Sequence, residues 1–140
     1  MTQPAASNYL AIDVGEKRIG LAFASGVAKL PRPLATVIHN EEAFESILAT
    51  TQQENIGTIV VGLPLNSDSK PTNQTVYTEA FISKLRQKTG IPIVTCDEAL
   101  SSKRAKQELV ARRKHYQKSD VDALAATYIL EDYLQETGKV

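Results

Sequence analysis

Asp13, the pair Asp97 and Glu98, and Asp122 are the residues of this chain whose type and setting could do chemistry. Asp13 interrupts the apolar stretch AIDVGEKRIGLAFA, residues 11–24. A carboxylate there loses hydration that only a cation, hydrogen bonds or a metal can offset. Carboxylates gathered at one place repel, and a divalent cation with oxygen ligands relieves them. Mg2+ (or Mn2+) fits such a set better than calcium or zinc, because it keeps several waters and takes a few carboxylates plus phosphate oxygens. Each acid also has a plainer explanation. Asp13 could pair with Lys17 or Arg18, and Asp97 and Glu98 could be solvated where a strand leaves the sheet. Asp122 matches a capping box in SDVD, with Ser119 as N-cap. The metal reading rests on the conjunction of the three positions.

A second feature is the distribution of charge. The formal net charge is zero, yet Lys103 to Lys118 holds seven Lys or Arg and one acid, Glu108, so this segment is +6 and the remainder −6. It joins Glu98 to Asp122 and so must pass beside the expected metal site. RRKHYQK mixes cations with His115 and Tyr116, a composition suited to phosphates and to stacking on unpaired bases. Arg112, Arg113, Lys114 and Lys118 are the expected substrate contacts, joined by Lys17 and Arg18 from the first turn. His39 reads as a loop histidine at a helix start. Cys96, the only cysteine, has no disulfide or zinc partner and reads as a small buried residue.

The elements that must position these groups follow from periodicity. Tyr9 to Val14 and Ile19 to Ala24 alternate as strands joined through GEKR, with Ala11 and Asp13 on the face opposite Leu10, Ile12 and Val14. A third strand is expected around Ala35 to Ile38, after the breaks at Pro31 and Pro33. Asn40 reads as the N-cap of a helix running to about Glu54. GTIVVGLPLN suits a strand covered on both faces, and SDSKPT leads to a helix over about Asn73 to Lys88. IPIVTCDE is the last strand, followed by helices over about Ser102 to Arg112 and Asp120 to Gln135. Three meander strands followed by strand-helix alternation predict an α/β fold. Its five-stranded mixed sheet is antiparallel on one side and parallel on the other, with flanking helices. Sites in such sheets gather at the carboxyl ends of parallel strands.

The length of 140 residues fits one domain, read as residues 9–140 after a flexible tail over 1–8. With 42% hydrophobic and 23% charged residues and no apolar run near the ~18 needed to span a bilayer, a membrane protein is not expected. The polar start MTQPAASN lacks the order of a signal peptide, which points to the cytoplasm.

Taken together, AIDVGEKRIGLAFA, IVVGLPLNSD, TCDEALSS and SDVDALAATYILEDYL resemble the YqgF family of Holliday-junction-resolvase-like proteins, small bacterial members of the ribonuclease H-like superfamily. The resemblance runs from Leu10 to Leu134 in order. It implies a ribonuclease H-like fold with a five-stranded mixed sheet, and catalytic, metal-holding acids at Asp13, Glu98 and Asp122. It further implies nuclease activity and maturation of the 5′ end of the small-subunit ribosomal RNA precursor. Three positions depart from the family pattern. Ala99 stands where an arginine commonly follows the DE pair, Ser69 where a glycine often stands, and Asp120 is an added acid.

The expected reaction is two-metal hydrolysis of a phosphodiester, with nucleic acid as partner: pre-rRNA, or structured DNA as in a Holliday-junction resolvase. Ribosomal precursor particles are a further expected partner, and the chain is expected as a monomer or weak homodimer. Two rivals stand beside this. One is a catalytically inactive RNA-binding or ribosome-assembly module. The other is an actin-like ATPase hairpin, suggested by Asp13, Gly15 and Gly20, for which the chain leaves no room for the second domain.

Overall fold

In the computed structural model, the residues described are 7–66, 68, 70–97, 107 and 118–137. The first hairpin forms as its alternation requires, from β1 (Asn8–Val14) and β2 (Arg18–Ala24). They pair antiparallel from Tyr9 opposite Ala24 to Val14 opposite Ile19. β3 (Arg32–Ile38) adds antiparallel to β2 and starts earlier than expected, taking in Pro33 because it lies at the sheet edge, where a missing N–H is tolerated. β4 (Ile56–Leu63) and β5 (Ile93–Asp97) continue the sheet in parallel on the other side of β1, giving the order β3-β2-β1-β4-β5. The mixed five-stranded sheet expected from the element order is therefore present.

Among the described residues three helices are delimited, and they flank it: α1 (Ala43–Gln53), α2 (Asn73–Lys88) and α3 (Lys118–Glu136). The expected helix over Ser102 to Arg112 lies outside the described residues, Gln107 excepted. α1 starts later than the Asn40 cap predicts. Asn40 instead closes a local turn in which its side-chain oxygen accepts the N–H of Glu42 at 2.9 Å, and the helix begins after it. α2 is capped by Thr72, reciprocally with Thr75, whose hydroxyl also donates to the carbonyl of Pro64 and ties the loop after β4 to the helix.

The inner strands β1 and β2 alternate large with small rather than apolar with polar, so both of their faces are covered, while the edge strand β3 stays largely exposed. Leu10, Ile12, Ile19, Leu21, Ile59 and Val61 face α1 and α2, packing on Ile47, Phe81 and Leu85. Ala11, Ala22, Ala24 and Val60 face α3, packing on Ala126, Ile129, Leu130 and Leu134. Small residues leave little height above this face, so α3 settles close to the strands. Gly20 takes the approach to its limit: a Cβ there would run into the backbone carbonyl of Asp122, and into the amide nitrogen of Ala123 at 2.9 Å. Gly62 admits Ile129 in the same way. Among the described residues no helix is long and apolar enough to cross a membrane.

Backbone cannot swing aside as a side chain can. Gly20→Ala is expected to cost about 1–3 kcal/mol or more, lowering the melting temperature by roughly 4–10 °C for a domain of this size. Gly90→Ala, with nothing within 4 Å of the added carbon, is expected to stay within about 0.5 kcal/mol of the parent. Calorimetry on the two variants checks the contrast.

Candidate active site

β1 carries Asp13 to the carboxyl end of the sheet on the α3 face, in the same row as Ala11 and directly opposite Gly20 on β2. Because Gly20 has no side chain, α3 crosses just above it and sets Asp122 against Asp13. Two carboxylates separated by more than a hundred positions in sequence are thereby brought together. Burial, and then the negative charge of Asp122, push the Asp13 carboxyl up from 3.8 to about 7.

Asp122 has a partner of its own. The Arg18 Nε donates to its Oδ2 at 2.7 Å, with the arginine side chain 32% and the aspartate 19% exposed. Two expectations are corrected here. Arg18 pairs with Asp122 and not with Asp13. Ser119 is not the N-cap either, since α3 begins at Lys118, which puts the Ser119 backbone within the helix and makes Asp122 its fifth residue. The tertiary ion pair engages the Asp122 carboxylate at nearly ideal distance.

The other expected residues divide as follows. Lys17 is exposed at the hairpin tip beside Arg18. Lys118 opens α3, so its backbone lies one turn before Asp122. Glu98, Arg112, Arg113 and Lys114 lie outside the described residues, as do His115, Tyr116 and the departures Ser69 and Ala99. Asp97 pairs with Leu63 and shares the face of Ile93 by strand alternation, which puts it on the opposite side of the sheet from Asp13. Cys96 is buried on the α3 face, as expected of a small apolar residue.

Among the described residues no three His, Cys, Asp or Glu side chains form a metal-sized group. The pair Asp13 and Asp122 nonetheless fits a divalent cation. Asp13 resists ionisation through lost hydration and then through its acidic neighbour, and among the described residues Arg18 alone pairs with that neighbour, so a cation placed between the acids would favour their charged forms.

His39 and Gln74 also reach the hairpin that carries Asp13, from the opposite face of the sheet. His39 Nδ1 bonds the Gly15 carbonyl at 2.7 Å, and Gln74 Nε2 donates to the Val14 carbonyl at 3.1 Å. Sequence reasoning left His39 as a loop residue and passed over Gln74, because neither has a partner within its own segment.

The raised Asp13 pKa fixes a direction for stability against pH. Below pH 4 Asp13 is neutral folded and unfolded, and the burial costs nothing. As pH rises from 4 to 7 the unfolded chain releases this proton first, so stability falls, and the loss is complete above 7. Asp13→Asn removes the penalty. Urea denaturation should show the variant equal to the parent below pH 4 and more stable by a few kcal/mol at pH 8; parallel curves would contradict it.

Comparison with known proteins gives the family and the fold. The family model described as "RuvX: Holliday junction resolvase" matches residues 7–136. A relative from Anaeromyxobacter sp. (strain Fw109-5) is 40% identical over 132 residues, covering 90% of this chain and 95% of its own length. One from Sulfurihydrogenibium sp. (strain YO3AOP1) is 33% identical over 130 residues, covering 91% and 90%. Both carry the name "Putative pre-16S rRNA nuclease". Among solved structures, Thermus thermophilus RuvC superposes with a TM-score of 0.55 at 15% identity, covering 94% of this chain and 97% of that one. The Fowlpox virus resolvase bound to Holliday junction DNA gives 0.54 at 11% identity, covering 93% and 98%. At such identities these two speak for the ribonuclease H-like fold alone. With the family model spanning nearly every residue from β1 through α3, and relatives alike at a third or more of their positions, the chain belongs to the RuvX (YqgF) family.

Proposed function

We propose that this protein is a divalent-metal-dependent nuclease that hydrolyses phosphodiester bonds in maturing the 5′ end of pre-16S rRNA in the bacterial cytoplasm. The observation that carries the reading is Asp13: a family member keeps a half-buried carboxylate beside a second carboxylate, a setting that disfavours its charged form. Stability surrendered at one polar cluster is what a functional site looks like physically. The names of the relatives supply the RNA substrate.

Asp13, Glu98 and Asp122 would hold Mg2+ or Mn2+ in a two-metal arrangement, which supplies activation of water and charge stabilisation at the leaving 3′ oxygen. The chain's own residues do the rest. Asp13 becomes ionised near neutrality, and a cation alongside it brings that ionisation lower. Arg18 fixes one oxygen of Asp122 through Nε, which orients the carboxylate and leaves the Nη donors for a phosphate. Lys17, and the cations Arg112, Arg113, Lys114 and Lys118, would grip the strand backbone, making binding salt-sensitive. The resolvase reading shares this chemistry and differs only in substrate, so the test includes a DNA junction.

Purified protein is to be given an RNA spanning the 5′ end of pre-16S rRNA and, separately, a four-way DNA junction. Mg2+-dependent cleavage of the RNA, abolished by EDTA and reduced roughly a hundredfold or more by Asp13→Asn, is the expected result. Cleavage confined to the junction overturns the RNA assignment. Binding without cleavage under Mg2+ or Mn2+ overturns the nuclease reading and leaves an RNA-binding module.

A further inference from the structure

The Asp13 carboxylate repels its neighbour Asp122, so its placement depends on the backbone that carries it. The sheet holds that backbone on its β2 side only. β1 pairs with β4 only as far as Ile12 opposite Val61, and the hairpin beyond is closed by the Gly15 amide donating to the Arg18 carbonyl at 2.9 Å. The carbonyls of Val14 and Gly15 have left the β4 ladder and need donors from elsewhere.

Two side chains supply them from the α1 and α2 side. Gln74, in the first turn of α2, donates Nε2 to Val14 at 3.1 Å. His39, just past β3, donates Nδ1 to Gly15 at 2.7 Å. A carbonyl only accepts, so Nδ1 carries the proton. The His39 backbone amide also donates to the Lys17 carbonyl at 2.9 Å, so one residue grips the hairpin twice. The imidazole is held in turn: its Nδ1 lies 3.0 Å from the Tyr77 hydroxyl, and its ring meets Tyr77 at 5.7 Å and the edge of Phe81 at 5.6 Å between centroids. Phe81 stacks on Phe44 in the core. A chain of rings thus runs from the packed interior to the carbonyl two residues beyond Asp13.

We propose that His39 and Gln74 are positioning residues of the metal-dependent reaction: they clamp the β1-β2 hairpin at Val14 and Gly15 and so set Asp13 in place. This rests on the nuclease reading. Groups that orient metal-holding side chains from behind typically change metal affinity or turnover by about 10- to 100-fold when removed. A clamp on Asp13 acts on kcat, because the long cationic grip on RNA is left intact.

The test compares His39→Phe, Gln74→Leu and His39→Asn in the full chain. Phenylalanine keeps the ring contacts with Tyr77 and Phe81 and loses only the donor. Asparagine places an amide nitrogen where Nδ1 stood and loses the ring. Three quantities are measured: kcat and KM for Mg2+-dependent RNA cleavage, Mn2+ affinity by electron paramagnetic resonance, and melting temperature. His39→Phe and Gln74→Leu are each expected to lower kcat and Mn2+ affinity about tenfold with KM within about twofold, and His39→Asn to recover most of the loss even if it melts lower. If His39→Phe and Gln74→Leu keep parental kcat and Mn2+ affinity, whatever their melting temperatures, the clamp is overturned and the nuclease reading stands. If the parent cleaves no RNA, the nuclease reading fails by itself, and Mn2+ affinity alone still decides the clamp.

Discussion

The approach of α3 to the sheet at Gly20 is the constraint on which the site depends. Helix and strand usually meet through side chains that hold their backbones apart. Here the strand contributes only a hydrogen at the crossing point, and the carbonyl of Asp122 sits where a Cβ would be. The row of alanines on the same face, Ala11, Ala22 and Ala24, extends the low surface along the helix, and Leu130 and Leu134 fill it farther on. Any bulkier residue at Gly20 would lift the start of the helix and part the two acids.

That proximity is unfavourable taken alone. Asp13 gives up hydration and gains a like-charged neighbour, and both effects favour its protonated form. Arg18 offsets half of the problem by pairing with Asp122, and it can do so because its side chain leaves β2 on the same face, two residues from Gly20. The result is an acid pair with one anchored member and one that has no cationic partner among the described residues, held by a hydrophobic core that supplies the stability it consumes.

The two faces of the sheet have separate duties. The α3 face holds the acids and is built from small residues for closeness. The opposite face carries the large residues and the aromatic series Tyr77, His39, Phe81 and Phe44. From that side come the only side-chain donors, among the described residues, to the Val14 and Gly15 carbonyls. The hairpin that bears Asp13 is thus set between a helix that crowds it and a packed cluster that holds its tip.

The amino-acid sequence by itself determined the architecture: alternation in residues 9–24, the continuous apolar run through Val60 and Val61, and helical spacing in residues 73–88 each reflect a local periodicity that backbone geometry imposes. It also marked Asp13 as costly, since a carboxylate among apolar strand residues conflicts with its surroundings whatever the fold. Local signals misled at Ser119, whose backbone lies inside α3 rather than at its cap, and at Asn40, whose side chain closes a local turn before the helix starts. The meeting of Asp13 with Asp122, the choice of Arg18 as partner of the latter, the opposite facing of Asp97, and the grip of His39 and Gln74 on the hairpin were decided by the tertiary structure alone. Each joins groups tens of residues or more apart, and no period in a chain encodes which of two distant side chains will share a face once sheet order and helix height are set.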